Sequence, residues 1–70
     1  MRFAVWTWEP GARLPILLDR RSTAREAEEL AEQAFSKRDL AQVTVMDGET
    51  LEPTLTLCGP IRVKQETREN

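Results

Sequence analysis

The sequence predicts a small α+β domain, with one helix packed on an antiparallel sheet in the order ββαββ, and three observations predict it. Two short apolar-rich runs flank Pro10-Gly11, a single stretch from Ala24 to Lys37 places apolar residues at steps of three and four, and alternation returns around Asp47-Gly48. Residues 1–64 read as one compact domain and 65–70 as a frayed polar tail. At 70 residues the chain lies near the lower limit of what one hydrophobic core supports without metal, disulfides or association.

Arg2 to Trp8 forms the first predicted strand, Glu9-Pro10-Gly11-Ala12 the turn, and Arg13 to Asp19 the returning strand, because Pro-Gly suits the middle of a type II turn. Closing that turn tightly sets Glu9 opposite Ala12. Phe3, Val5 and Thr7 then face Leu18, Ile16 and Leu14, and this is the predicted core face. The opposite face holds Ala4, Trp6 and Trp8 across from Leu17, Pro15 and Arg13, an apolar surface that needs a partner or a cover.

The helix is predicted over Ala24 to Lys37. Its apolar stripe is Ala24, Ala27, Leu30, Ala31, Ala34 and Phe35, with Thr23 and Glu26 forming a capping box and Ser22 a rival cap. The alanines let the helix lie close against the face made by Phe3, Val5, Leu14, Ile16 and Leu18. A single helix covers one face of the sheet and leaves the other open.

Ala41 to Val45 alternates as a third strand, and Leu51, Pro53, Leu55 and Leu57 alternate with polar residues as a fourth. A two-residue loop at Asp47-Gly48 would set Val45 against Thr50. A three-residue loop Met46-Asp47-Gly48, with Gly48 left-handed in a G1 bulge, instead pairs Val43 with Leu51. Pro53 cannot donate to a ladder, which assigns its strand to an edge or breaks it, and the same holds for Pro15. After Gly59-Pro60, Ile61-Arg62-Val63-Lys64 has the pattern of a short fifth strand.

Composition excludes several kinds of chemistry. Histidine is absent and Cys58 is the one cysteine, so the expected metal and cofactor content is none and no intramolecular disulfide can form. Gly11, Gly48 and Gly59 are isolated turn residues without a phosphate-loop spacing. Asp19, Asp39, Asp47 and Glu52 fall at turns or strand ends, and Cys58 has no histidine to activate it, so no catalytic residue is expected and the chain reads as a non-enzyme. The amino terminus has no signal-peptide pattern and no apolar run approaches a membrane span, which predicts a cytoplasmic protein. The net charge of -2 hides a polarity: arginines dominate up to Arg25 and acids from Glu26 to Glu52, predicting one basic and one acidic surface.

Three groups are candidate partner-binding residues. Trp6, Trp8, Arg13 and Leu17 combine the residue types that dominate binding hot spots, against the bland reading that the C-terminal segment covers them or that Trp6 packs on Pro15. Glu28, Glu29 and Glu32 cluster on the helix, either docking on a basic channel or simply keeping the surface solvated; the repulsion among them is only a few tenths of a kcal/mol. Arg13, Arg20, Arg21 and Arg25 with the tryptophans would make a single-strand nucleic-acid platform, but the acidic chain and the lack of an RNP-like or helix-turn-helix pattern argue against direct nucleic-acid binding.

Arg2-Phe3 opening a hairpin, Pro15-Ile16 in its second strand, and the helix from Glu26 to Phe35 resemble the small ββα-type inhibitors of bacterial RNA polymerase that some lytic phages encode. The resemblance covers residues 2–35, about half the chain, and its helix rhythm is also one that any amphipathic helix prefers. It implies a non-catalytic protein, of phage or mobile-element origin, that binds a jaw-like polymerase surface and blocks promoter opening. Family members make that contact with arginines on the strand after the helix. Ala41 to Val45 has none, and the nearest similar run puts Arg62 in that role. Other small phage or plasmid proteins of this plan disable CRISPR surveillance complexes, and a single-strand nucleic-acid binder or a structural homodimer joined through the tryptophan face are the remaining alternatives.

Overall fold

Alternation, a capped amphipathic stretch and renewed alternation give the elements expected of them. In the computed structural model, which describes residues 1–58, these are β1 (Phe3–Trp8), β2 (Ile16–Arg21), α1 (Ala24–Lys37), β3 (Gln42–Asp47) and β4 (Pro53–Cys58). They form a small α+β fold in which α1 packs on a four-stranded sheet of order β2-β1-β3-β4 with every neighbouring pair antiparallel. β2 and β3 both run antiparallel to β1 and hence parallel to each other, and α1 makes the crossover between them. The fifth strand expected at Ile61–Lys64, Arg62 within it, and the tail at 65–70 lie outside the described residues.

The helix has the bounds its periodicity predicts. Thr23, not Ser22, is the cap: its backbone is extended and its Oγ1 accepts from the Glu26 N–H at 3.2 Å. At the other end the Arg38 N–H donates to the Ala34 carbonyl, and the Ala41 N–H then donates to the Trp8 carbonyl at 2.8 Å. That last bond ties the helix exit to the end of β1.

The core is small-residue packing. Ala27, Ala31 and Ala34 lie against Phe3, Val5, Val43 and Val45, with Leu40 closing one end and Leu18, Leu30, Phe35 and Leu55 at the periphery. Alanines on the inner helix face bring the helix close to the two central strands, and the valines fill the remaining depth. Burying each valine side chain contributes about 1.5–3 kcal/mol.

Both hairpin registers differ from the expected ones. The Pro10-Gly11 turn does form, with the Ala12 N–H on the Glu9 carbonyl at 2.9 Å and Gly11 at φ +83°. The ladder does not resume there. Pro15 has no N–H to donate, and pairing starts only at Thr7 with Ile16, so Leu14 and Ile16, expected in the core, are exposed. A bulge opposite Val5 and Trp6 then places Leu18 against the core and shifts Val5 to Asp19 and Phe3 to Arg21. The tryptophans still face outward, because the delay at the turn is an even number of residues and the bulge comes only after Trp6 pairs with Leu17.

The second hairpin slides further. Val43 pairs with Leu57 and Val45 with Leu55, not Val43 with Leu51, and β3 runs on to Asp47. Apolar parity is kept, so the core side is unchanged. Leu51, at φ 62°, takes the left-handed position expected of Gly48, and its N–H closes the loop on the Asp47 carbonyl at 2.8 Å. Gly48 serves a different purpose: its N–H donates to the Arg2 carbonyl at 2.8 Å, and a Cβ there would stand 2.8 Å from that same oxygen.

Arg2 explains why β3 extends. Its Nε and Nη2 donate to the two carboxylate oxygens of Asp47, each at 2.8 Å, while the Glu49 N–H donates to Asp47 Oδ1. This fork clasps the amino terminus to the loop after β3. The Arg2 hydrogen bonds hold the Asp47 carboxyl down at about 2, against the opposing effect of burial, and raise Arg2 above its ordinary value.

Candidate functional site

Strand alternation sorts every sheet residue onto one of two faces. Phe3, Val5 and Thr7 of β1 face the helix and are buried, whereas Ala4, Trp6 and Trp8 face away and are half-buried. Cross-strand partners share a face, so Leu17 and Arg20 of β2 lie on the open side with Trp6 and Ala4. Gln42, Thr44 and Met46 of β3 join them across from Trp8, Trp6 and Ala4, and Thr56 and Cys58 of β4 continue the row.

A shallow cleft of about 240 Å³ lies on this face, lined almost wholly by apolar surface from Trp6, Trp8, Pro15, Thr44 and Met46. Its floor is held by the two central strands. Thr44 is 8% exposed although it faces away from the helix, since the indoles and Met46 flank it, and its Oγ1 accepts from the Gln42 amide at 3.1 Å. Pro15, Thr44 and Met46 were not among the candidate residues. Pro15 was legible as a neighbour of Trp6, but Thr44 and Met46 reach the cleft only through the β1–β3 pairing, which has no local signal in the sequence.

The candidate residues divide between two sides of the molecule. Trp6, Trp8 and Leu17 come together, with Leu17 paired directly to Trp6 and 37% exposed. Arg13 is an exposed loop residue two positions before Pro15. Glu28, Glu29 and Glu32 are carried by α1 on the other side of the sheet, so a single flat surface cannot touch them and the tryptophans together. Arg62 lies outside the described residues. Arg20 and Arg21, placed together in the nucleic-acid alternative, point to opposite faces: Arg20 pairs with Ala4 and Arg21 with Phe3.

Charge pairing sharpens the division. Arg21 is ion-paired to Asp19, whose carboxyl is lowered chiefly by that bond and then by the Arg20 N–H. Arg25 meets Glu29 at 3.4 Å, and Arg38 reaches Glu9 at 3.8 Å, turning the residue after Trp8 toward the helix. The expected basic surface is thereby mostly neutralised. Arg20, on the open face, and Arg13, in the exposed loop before Pro15, keep side chains with no ion-pair or hydrogen-bond partner among the described residues. No strand position on that face is acidic.

Both sheet edges are blunted. On β2 the bulge and the Asp19 carboxylate on the Arg20 N–H at 2.7 Å disturb the free ladder; on β4 Pro53 and a bulge opposite Val45 and Met46 do the same. Among the described residues no group of three or more His, Cys, Asp or Glu side chains is placed to hold a metal ion, and no helix is long and apolar enough to cross a membrane.

Comparison of the chain with protein-family models, with curated proteins and with solved structures gives no match.

Proposed function

We propose that the chain is a non-enzymatic protein-binding module, an inhibitor of phage or mobile-element type that acts stoichiometrically on a large host nucleic-acid-processing complex such as bacterial RNA polymerase. The observation that carries the binding reading is the outward pair of tryptophans. Trp6 and Trp8 border an apolar cleft on a sheet face that no other described element covers, with Leu17 beside them, while the core is filled mainly by alanine and valine with Phe3 and Leu40. Large aromatics at the centre of a surface patch, rimmed by polar groups, are what binding hot spots are made of. The cleft is shallow and almost wholly apolar, without the convergent polar groups that orient a small molecule, which favours an apolar side chain of a protein partner over a metabolite. The choice of target rests on the resemblance of residues 2–35 and not on this face.

The experiment is retention of purified bacterial RNA polymerase, and of complexes from a bacterial lysate, by wild type and by the Trp6→Ala/Trp8→Ala variant, with sedimentation of both. Polymerase held by wild type and lost by the folded variant supports the whole reading. A different complex held in the same tryptophan-dependent way replaces the target and keeps the module. If wild type holds nothing and the variant only changes from dimer to monomer, the face is an assembly seam and the inhibitor reading fails.

A further inference from the structure

We infer that the open sheet face takes an acidic segment of its protein partner, seating one apolar side chain in the tryptophan cleft and setting carboxylates against Arg13 and Arg20. This inference rests on the protein-binding reading and adds the chemistry of the partner.

Charge complementarity is the first ground. The chain as a whole is acidic, yet no described strand position on this face is acidic: Glu26, Glu28, Glu29 and Glu32 are carried by α1, Asp47 is held in the Arg2 clasp, and Glu9 reaches Arg38. Arg20 projects beside Ala4, one alternation from Trp6, and Arg13 stands in the loop that leads to Pro15. Every other described arginine has an acidic partner: Arg2, Arg21, Arg25 and Arg38. Among the described residues these two arginines, unlike Lys37 in the last turn of α1, belong to the hairpin that borders the cleft, where a partner's carboxylates gain the most and a basic partner is repelled.

The mode of docking follows from the edges. Strand addition needs a free, flat ladder, and bulges with Pro53 and the Asp19 carboxylate remove it on both sides. The segment must lie across the face instead.

Aliphatic surface decides between an acidic protein and the other common polyanion. Leu17 lies on the face itself, and Leu14, 76% exposed, stands between Arg13 and Pro15. The tryptophans could stack bases, but the leucines beside them pack on side chains and offer no such platform, and among the described residues only two unpaired arginines stand near the face to meet phosphates. An acidic peptide with an apolar anchor uses all of these contacts.

The test is fluorescence anisotropy of three labelled probes on the full chain: a Glu/Asp-rich peptide with one central Leu, the same peptide with Lys at every acidic position, and an oligothymidylate. The acidic peptide should bind, weaken at least tenfold with Arg13→Glu/Arg20→Glu and with Trp6→Ala, and be unmoved by Glu28→Lys/Glu29→Lys. Both arginines are exposed, so loss of folding is not expected, and circular dichroism of the variant checks it. Equal or tighter binding of the Lys peptide overturns the inference, as does preference for the oligothymidylate, or no response to the arginine variant. A complex that Arg13→Glu/Arg20→Glu still retains, and that Trp6→Ala/Trp8→Ala loses, refutes the acidic partner and leaves the binding module standing.

Discussion

The two faces of β1 differ in a way that inverts the usual use of large side chains. Toward the helix, Phe3, Val5 and Thr7 are buried, and the largest side chains fully removed from water in the described fold are Val5, Val43, Val45 and Thr7. Away from the helix, the same strand carries Trp6 and Trp8 half-buried beside an open cleft. A chain this short needs apolar burial more than most, and one tryptophan buries as much area as two small aliphatics. Keeping both indoles off the core lowers stability in exchange for a sticky face, which is the arrangement expected of a module whose work is binding.

If that contrast holds, the faces should respond oppositely to truncation. Val45→Ala, and equally Val5→Ala, should destabilise the fold by about 2–3 kcal/mol, since two buried methyl groups are lost and the helix cannot sink further to fill the gap. In a domain of this size that lowers the midpoint of thermal unfolding by roughly 10 °C or more, read by circular dichroism. Next in size, Gly48→Ala should cost about 1–2 kcal/mol, because its Cβ forces apart the Gly48 N–H and Arg2 carbonyl that meet at 2.8 Å. Trp8→Ala should cost about 1 kcal/mol, on the scale of a cross-strand pair, while removing most of the binding. A larger loss of stability for Trp8→Ala than for Val45→Ala would mean that the indole is a core residue and would break the contrast.

The smallest effect concerns acid. Asp47 is lowered from 3.8 to about 2 by its Arg2 hydrogen bonds, so its contribution is complete above the unfolded value. As pH falls below about 3.8 the unfolded chain takes up a proton that the folded chain refuses, and stability declines as pH falls through about 2, below which the contribution is gone. Asp19 is shifted in the same direction and adds to the slope. Asp47→Asn should flatten the pH dependence of chemical denaturation in that window without abolishing it; an unchanged slope would mean that the Arg2 fork does not form in solution.

The helix and the outward register were legible in the sequence, and for the same reason: both are local. Thr23, Glu26 and the alanine stripe sit within a few turns of one another, and side-chain direction along β1 depends only on alternation. What was not legible was long-range. The pairing of β1 with β3, which brings Thr44 and Met46 to the cleft, is closed by backbone bonds across the helix crossover. Leu14 and Ile16 were misplaced because Pro15 delays the ladder beyond a turn that is itself correct. Gly48 was assigned to a turn conformation when its need is the close approach of Arg2, a residue 46 positions earlier. Arg2 and Asp47 are 45 positions apart in the chain, and no spacing rule links them.

Trp6 and Trp8 are the only tryptophans and the chain has no tyrosine, so intrinsic fluorescence reports the open face and nothing else. Acrylamide quenching of the native 70-residue chain, at a concentration where sedimentation shows one species, is therefore the most direct measurement. The account predicts that both indoles are quenched in the folded monomer at a substantial fraction of the unfolded value, and that the Glu/Asp-rich peptide protects them. Indoles already shielded in the native chain before any partner is added would contradict it, because the face would then be covered by the protein itself.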